Sequence, residues 1–351
     1  MKGRVLVTSA QVPYTRGGAE ILVDSLLSAL KRADYLADLV QLPFSVLPRE
    51  NILTNIALWK NLDLNSINNE KIDCVISTKF PSYFVKHQRK VLWLVHQHRQ
   101  MYDLYRSRFS DFEADVSSEA LRRLLLQEDH TALSECSKIY TISQNVTDRL
   151  EKYLGIASEV LLPPLPLSGR YYHGETGDYI LSVGRICTIK RVDFIIKALP
   201  QISAKLRLKI VGSPDEPLIM DYINQELDRH SLRTRVDFLG RVSEEQLLSL
   251  YANAHCVYYA PFDEDYGFVT LEALASHKPV ITMSDSGGVL SFINHQQNGL
   301  ISEPNVAGLA EAVNLLAQSQ TLYEQLVEGC KQFSPPQSWE PVIEKLLGKN
   351  D

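Results

Sequence analysis

Short aliphatic runs alternate along this chain with stretches of helical spacing, and the alternation begins twice. Residues 4–8 (RVLVT) read as a buried strand, and residues 20–30 follow with Ile21, Leu22, Leu26, Leu27 and Leu30 at helical intervals. Residues 73–77, 90–95 and 138–142 (DCVIS, KVLWLV, KIYTI) read as further strands. Strands that are apolar throughout and separated by helices belong to a parallel sheet covered on both faces. From Leu162 the texture changes to LLPPLPLSGRYYHGETGD, where Pro and Gly interrupt polar residues as in an interdomain linker. The pattern then restarts. Strands are predicted over 179–183, 206–211, 235–239, 256–259 and 279–283, with helices over 193–199 and 244–252. The expectation is an α/β chain of two Rossmann-like doubly wound domains facing a central cleft. They cover 1–168 and 169–335, and a helix in 336–351 crosses back to the first domain.

A length of 351 residues with 45% hydrophobic side chains supplies two cores. The net charge of −6 argues against a nucleic-acid partner held by bulk charge. The five cysteines, Cys74, Cys136, Cys187, Cys256 and Cys330, are odd in number and contain no C-x-x-C pair, so neither a disulfide framework nor a zinc site is expected. The amino-terminal apolar run is too short for a signal peptide, and no window reaches the roughly 18 apolar residues of a spanning helix. A cytoplasmic protein is expected.

In open α/β sheets, ligands bind beyond the carboxyl ends of the strands, and the loops there carry the unusual residues. After the first strand, Gly17-Gly18 precedes a helix, which permits close backbone approach and offers free N–H groups to an anion. A plain glycine turn is the simpler account, since neither G-x-G-x-x-G nor a Walker loop is present. After residue 183, GRICTIKR sets Arg185 and Lys190 five positions apart, a pair suited to a diphosphate but equally to a solvated basic loop. His96 ends the third strand, where a polar contact to substrate competes with an ordinary structural histidine. His96 and His98 lack a third ligand for a metal.

The stretch PFDEDYGFVTLEAL places Glu264 on a loop and Glu272 on the helix expected to begin near Phe268. Carboxylates accept paired hydrogen bonds from vicinal hydroxyls, and N–H groups at a helix start meet phosphate. Hydroxyl acceptors beside phosphate donors match the profile of a nucleotide sugar. Asp263-Glu264-Asp265 also fits a D-x-D metal motif formally, and a solvated acidic loop is a third account. The loop Ser284–Gly288 follows another strand, and Asn298-Gly299 reads as a turn.

Two glutamates separated by seven residues in EDYGFVTLEAL, followed by KPVITMSDSGG and NGL, resemble the retaining glycosyltransferases of family four, glycosyl transferases group 1, which have the GT-B fold. SVGR…K, VDFLGRVSEEQLLSLYANA and the early GGAE fit the same family, so the resemblance spans nearly the whole chain and is most specific in its second half. It implies that Glu272 holds the ribose hydroxyls and Glu264 those of the donor sugar. Arg185 and Lys190 would bind the departing diphosphate, and His96 would lie beside the reacting sugar. Gly17 and Gly18 would let the first domain approach the phosphates. Gly267, Phe268 and Val269 would present backbone N–H groups, with Gly184 and Tyr266 beside them and Gly240 and Arg241 near the base. The expected ligands are a UDP- or GDP-linked sugar and a glycan or lipid-linked acceptor, with no metal and no cofactor. The departing phosphate oxygen would act as base, and the anomeric configuration would be retained. A non-catalytic binding subunit, or an epimerase or hydrolase on the same fold, are the alternatives. Residues 79–108 carry seven Lys/Arg against one acid, Asp103, which suggests a peripheral membrane surface on the first domain.

Overall fold

The computed structural model describes residues 2–348 apart from Val46, Leu47, Glu50, Ala114 and Pro217. It divides into two units, Met1–Pro166 with Ser338–Asp351, and Leu167–Gln337.

The first unit runs β1 (Arg4–Gln11), α1 (Gly18–Arg32), β2 (Leu36–Pro43), α2 (Asn51–Lys60), a small ribbon of β3 (Ser66–Ile67) and β4 (Glu70–Lys71), β5 (Cys74–Lys79), β6 (Lys90–His96), α3 (Val116–Ser134), β7 (Lys138–Thr141), α4 (Gln144–Leu154) and β8 (Glu159–Val160). Six strands form one parallel sheet in the order β2-β1-β5-β6-β7-β8. Every residue of β5 is buried, which is why its sequence shows no alternation. Helix α1 buries Leu22, Val23, Leu26, Ala29 and Leu30, with Glu20 in its first turn and Lys31 and Arg32 in its last, as the helix dipole favours. Asp115 caps α3 through Ser118 N (2.7 Å), and Ser143 caps α4 through Val146 N (3.2 Å).

The second unit runs β9 (Tyr179–Val183), α5 (Val192–Ala198), β10 (Arg207–Val211), α6 (Ile219–Arg229), β11 (Val236–Gly240), α7 (Glu244–Ala252), β12 (Cys256–Tyr258), α8 (Phe268–Ala275), β13 (Val280–Met283), β14 (Gly299–Ser302), α9 (Val306–Gln318) and α10 (Gln320–Lys331). Its parallel sheet has the order β11-β10-β9-β12-β13-β14. The order reverses between β9 and β12, whose carboxyl ends therefore open a crevice. The final helix, α11 (Glu340–Leu347), belongs to the first unit: Trp339 packs edge-on against Trp93 at 5.9 Å, and Tyr140 Oη donates to Lys345 O (3.0 Å).

The predicted strands all form, with ends shifted by a few residues. Strands β2, β3, β4, β8 and β14 and helices α2, α3, α4, α6, α9 and α10 were not predicted individually. β2 lies at a sheet edge, has exposed positions along its length and carries Pro43, so its sequence lacks a buried run. The turn expected at Asn298-Gly299 lies over 296–298, and Gly299 opens β14. A Cβ at Gly299 would come within 2.4 Å of Val280 O, so this glycine serves strand packing.

Candidate functional site

The crevice of the second unit is lined by the loops after β9 and β12. Gly184 leaves β9 with φ 134°, and Gly212, at the end of β10, sits so close that a Cβ there would meet Gly184 O at 1.9 Å. Close contact continues as Ile186 N donates to Ser213 O (2.9 Å) and Asp215 N to Ile186 O (3.1 Å). Arg185, partly exposed, pairs with Asp215, and Glu216 accepts from Thr188 N (2.9 Å). Burial works against the Arg185 charge, but Cys187, Asp215 and Glu264 outweigh it and raise its pKa.

Lys190 forms an ion pair with Glu264, and Tyr259 Oη closes the triangle at 3.1 Å from Lys190 Nζ and 3.0 Å from Glu264 Oε2. Burial and the Glu264 charge push the Tyr259 phenol well above its ordinary pKa, so it stays a neutral donor. The acidic loop is pinned from β13. Asp263 N donates to Asp285 O (2.9 Å), Glu264 N to Ser286 O (3.1 Å) and Gly288 N to Glu264 O (2.7 Å). Gly287 adopts φ 60°, and a Cβ there would lie 2.6 Å from the Asp263 carbonyl carbon, so a side chain would push the acidic loop away.

Gly267 caps α8 with φ 90°, and Phe268 and Val269 open the helix. Glu272, one turn further on, accepts from Tyr251 Oη (2.6 Å), and the ring of Tyr171 packs against that of Tyr251 at 6.3 Å. Burial raises the Glu272 carboxyl above the usual range, and the tyrosine hydroxyls offset part of that rise. Tyr266 is 2% exposed and packs between Phe268 and Phe292, so its side chain props the loop and is not presented to the crevice. Gly240 and the exposed Arg241 end β11 on the far side of β10. Among the described residues no three His, Cys, Asp or Glu converge as metal ligands.

The first unit holds the remaining expected residues. Its own strand-order reversal lies between β1 and β5. Gly17 and Gly18 begin α1 there, but Gly17 N already donates to Glu20 Oε2 (2.8 Å), and Glu20 pairs with Lys79 from β5 at 2.6 Å. Although burial opposes it, Lys79 and the Gly17 N–H hold Glu20 below its ordinary pKa. His96 ends β6 with Nδ1 2.9 Å from Gln97 O, which places its proton on Nδ1. His98 is buried among Phe44, Phe80 and Phe112, and burial pulls its pKa down to about 3. The basic segment 79–108 does not form one surface. Lys79, Lys90 and Arg99 turn inward onto Glu20, Glu135 and Asp103, which leaves Lys86, Arg89, Arg106 and Arg108 exposed. Among the described residues no helix is long and apolar enough to cross a membrane.

The sequence reading missed Tyr259, Tyr251 and Arg191. Arg191, 1% exposed, forks onto both carboxylate oxygens of Asp285 (2.7 and 3.0 Å) and onto Pro261 O (2.8 Å), so it ties the ends of β9, β12 and β13 together. The Lys190-Arg191 doublet was its only signal.

Two parallel six-stranded sheets, each with a strand-order reversal, define the GT-B architecture. Sucrose-phosphate synthase of Thermosynechococcus elongatus superposes with a TM-score of 0.73 over 97% of both chains at 18% identity. Anabaena HepE, solved with UDP and glucose, gives 0.71 over 98% of this chain and 95% of its own at 15% identity. Residues 170–333 match the family model described as Glycosyl transferases group 1, so the second unit belongs to that family. An uncharacterized glycosyltransferase of Methanocaldococcus jannaschii is 31% identical over 172 residues, 48% of this chain and 43% of its own. The O-antigen chain mannosyltransferase RfbU of Salmonella typhimurium is 26% identical over 278 residues, 74% of this chain and 72% of its own. The chain thus spans less than half the length of the first of these two relatives.

Proposed function

We propose that the protein is a retaining glycosyltransferase that moves a hexosyl group from a UDP- or GDP-linked sugar to a hydroxyl of a glycan or lipid-linked acceptor, in cell-surface polysaccharide or glycolipid synthesis. The observation that carries this reading is the joining of Lys190, Tyr259 and Glu264 in one crevice whose next helix presents Glu272. The family membership supports it, and so do the O-antigen mannosyltransferase among the relatives and the UDP and glucose held by HepE.

In this reading Glu272 accepts from the ribose hydroxyls and Glu264 from the donor sugar, while the N–H groups of Gly267, Phe268 and Val269 meet sugar and phosphate. Arg185 and Lys190 stabilise the charge that develops as the C1–O bond breaks. The acceptor hydroxyl attacks on the face the diphosphate leaves, and a departing phosphate oxygen takes its proton. In the same reading the first unit binds the acceptor through the loop that follows β1, which leads into α1 at Gly17-Gly18, and through the end of β6, where His96 stands. Exposed Lys86, Arg89, Arg106 and Arg108 suit a weak peripheral contact with an anionic membrane.

The test is release of nucleoside diphosphate from a panel of UDP-, GDP-, ADP- and dTDP-sugars, with and without glycan acceptors. Turnover of one donor, reduced at least ~100-fold in Glu272→Ala, is expected. Failure of every nucleotide sugar to bind or turn over would reject the reading in favour of a non-catalytic role.

A further inference from the structure

The opposite end of the second unit's sheet, where β12 and β13 begin, gathers polar side chains that the donor reading leaves unused. Lys278 lies just before β13 and is 0% exposed. Its Nζ meets no hydrogen-bond acceptor, and the same holds for buried Ser276 Oγ and for His255 Nε2, just before β12. Buried donors are nearly always paired, and an unpaired ammonium is the costliest to leave alone.

Among the described residues no carboxylate is paired with that ammonium. His255 stacks on Tyr323 at 4.9 Å, and Tyr323 Oη is engaged by Thr176 (3.0 Å). Cys330 donates its thiol to Asn298 O (3.4 Å). His173, exposed, and His277, half-buried, pair their rings at 5.7 Å, and His173 Nδ1 lies 3.4 Å from Ser276 O. From α10 come Lys331 and Glu328, which pair with each other at 3.0 Å in the exposed layer. Burial lowers His173, His255 and His277, and Lys278 lowers each of them further; burial also brings Lys278 down to about 8. The cluster is a set of unspent donors whose positive charges oppose one another.

We propose that Lys278 Nζ, His255 Nε2 and Ser276 Oγ bind a small inorganic anion, a halide or phosphate, at the base of the second unit. The enclosure of all three atoms limits the occupant to a small ion, and the His173–His277 pair, which reaches the surface at His173, marks its way in. A bound anion restores the ammonium charge of Lys278 and takes up a proton, so binding tightens as pH falls from 9 to 7.

The experiment uses an Arg185→Ala/Lys190→Ala background, which removes the cations of the nucleotide crevice as a second anion site. Thermal unfolding is compared in gluconate, chloride and phosphate at equal ionic strength and pH 7.5. At saturation one or both small anions raise the midpoint by roughly 2–4 °C over gluconate. A response to chloride alone identifies a halide site, and a response to phosphate alone an oxyanion site. Lys278→Met, and Lys278→Gln should the first not fold, lose the response and unfold in gluconate no earlier than the parent. Crystals grown in bromide show an anomalous peak within hydrogen-bonding reach of Nζ. Absence of any small-anion response, or a response that both Lys278 variants keep, would overturn the proposal.

Discussion

The Tyr259 hydroxyl is the group on which the candidate site turns, because it touches both Lys190 and Glu264. A cation and a carboxylate left alone at contact would lock together. A neutral donor between them lets each keep its orientation when a diphosphate or a sugar hydroxyl competes for the other. Tyr259→Phe removes one buried hydrogen-bond donor without changing the ring, so a roughly 10-fold fall in kcat/KM is expected. The fall should lie mainly in kcat if the tyrosine positions the charged pair for bond breaking. Steady-state kinetics on the donor that the nucleotide-sugar panel selects reads this directly, and an unchanged kcat/KM would make Tyr259 a packing residue. Residues of this kind were hidden in the sequence. Glu264, Glu272, Arg185 and Lys190 stand out as charges at strand ends, where a core has no use for them. Tyr259 and Tyr251 look like ordinary apolar residues of a strand and a helix, and only the tertiary fold shows where a phenol oxygen points.

Helix α3 carries an example of an element held by a single buried acid. Asp129 accepts from Tyr83 Oη (2.8 Å) and Tyr102 Oη (2.5 Å), and so joins α3 to the turns that follow β5 and β6. Burial raises the carboxyl to about 7 from an ordinary 3.8, with the two hydroxyls offsetting part of the rise. A carboxyl raised in the fold favours the folded state while it is protonated. Its contribution is present at low pH and is lost as pH rises through about 7. His98 has the opposite sign: lowered to about 3, it contributes above its ordinary 6.5 and loses that contribution as pH falls. The wild-type pH profile mixes the two, so the informative quantity is the stability of Asp129→Asn relative to wild type. That difference should shift in favour of the variant as pH rises from about 4 to about 7, by up to about 1.4 kcal/mol per pH unit around pH 5–6, and level off above about 7. Urea unfolding at four pH values checks it, and a constant difference would mean that Asp129 is ionised throughout. The charge pattern of α3 gave no hint of this role, because Asp129 looks like Glu119 and Glu128 of the same helix until its burial is known.

At the scale of the molecule, the two α/β series were legible because fully buried parallel strands leave unbroken apolar runs. The edge strands β2 and β14 were not, because β2 is half exposed and β14 is four residues long with only Leu300 and Ile301 between Gly299 and Ser302. The terminal helix was legible too, through its apolar spacing, and its placement makes the first unit discontinuous in sequence. Val342, Ile343, Leu346 and Leu347 are buried, Arg89 donates to Leu347 O, and Lys345 pairs with Glu159 at 2.6 Å. Burying a leucine contributes about 1.5–3 kcal/mol, and a charge in its place adds desolvation to that loss, so one substitution can consume a large part of a domain's 5–15 kcal/mol. All three tryptophans, Trp59, Trp93 and Trp339, belong to the first unit, so their fluorescence reports that unit by itself. Leu346→Asp should therefore lower the urea midpoint followed by tryptophan emission, while the part of the circular-dichroism signal that comes from the second unit keeps its own midpoint. If the tryptophan transition stayed where it is in wild type, the last helix would be an appendage, and the first unit would draw its stability from residues 2–166 alone.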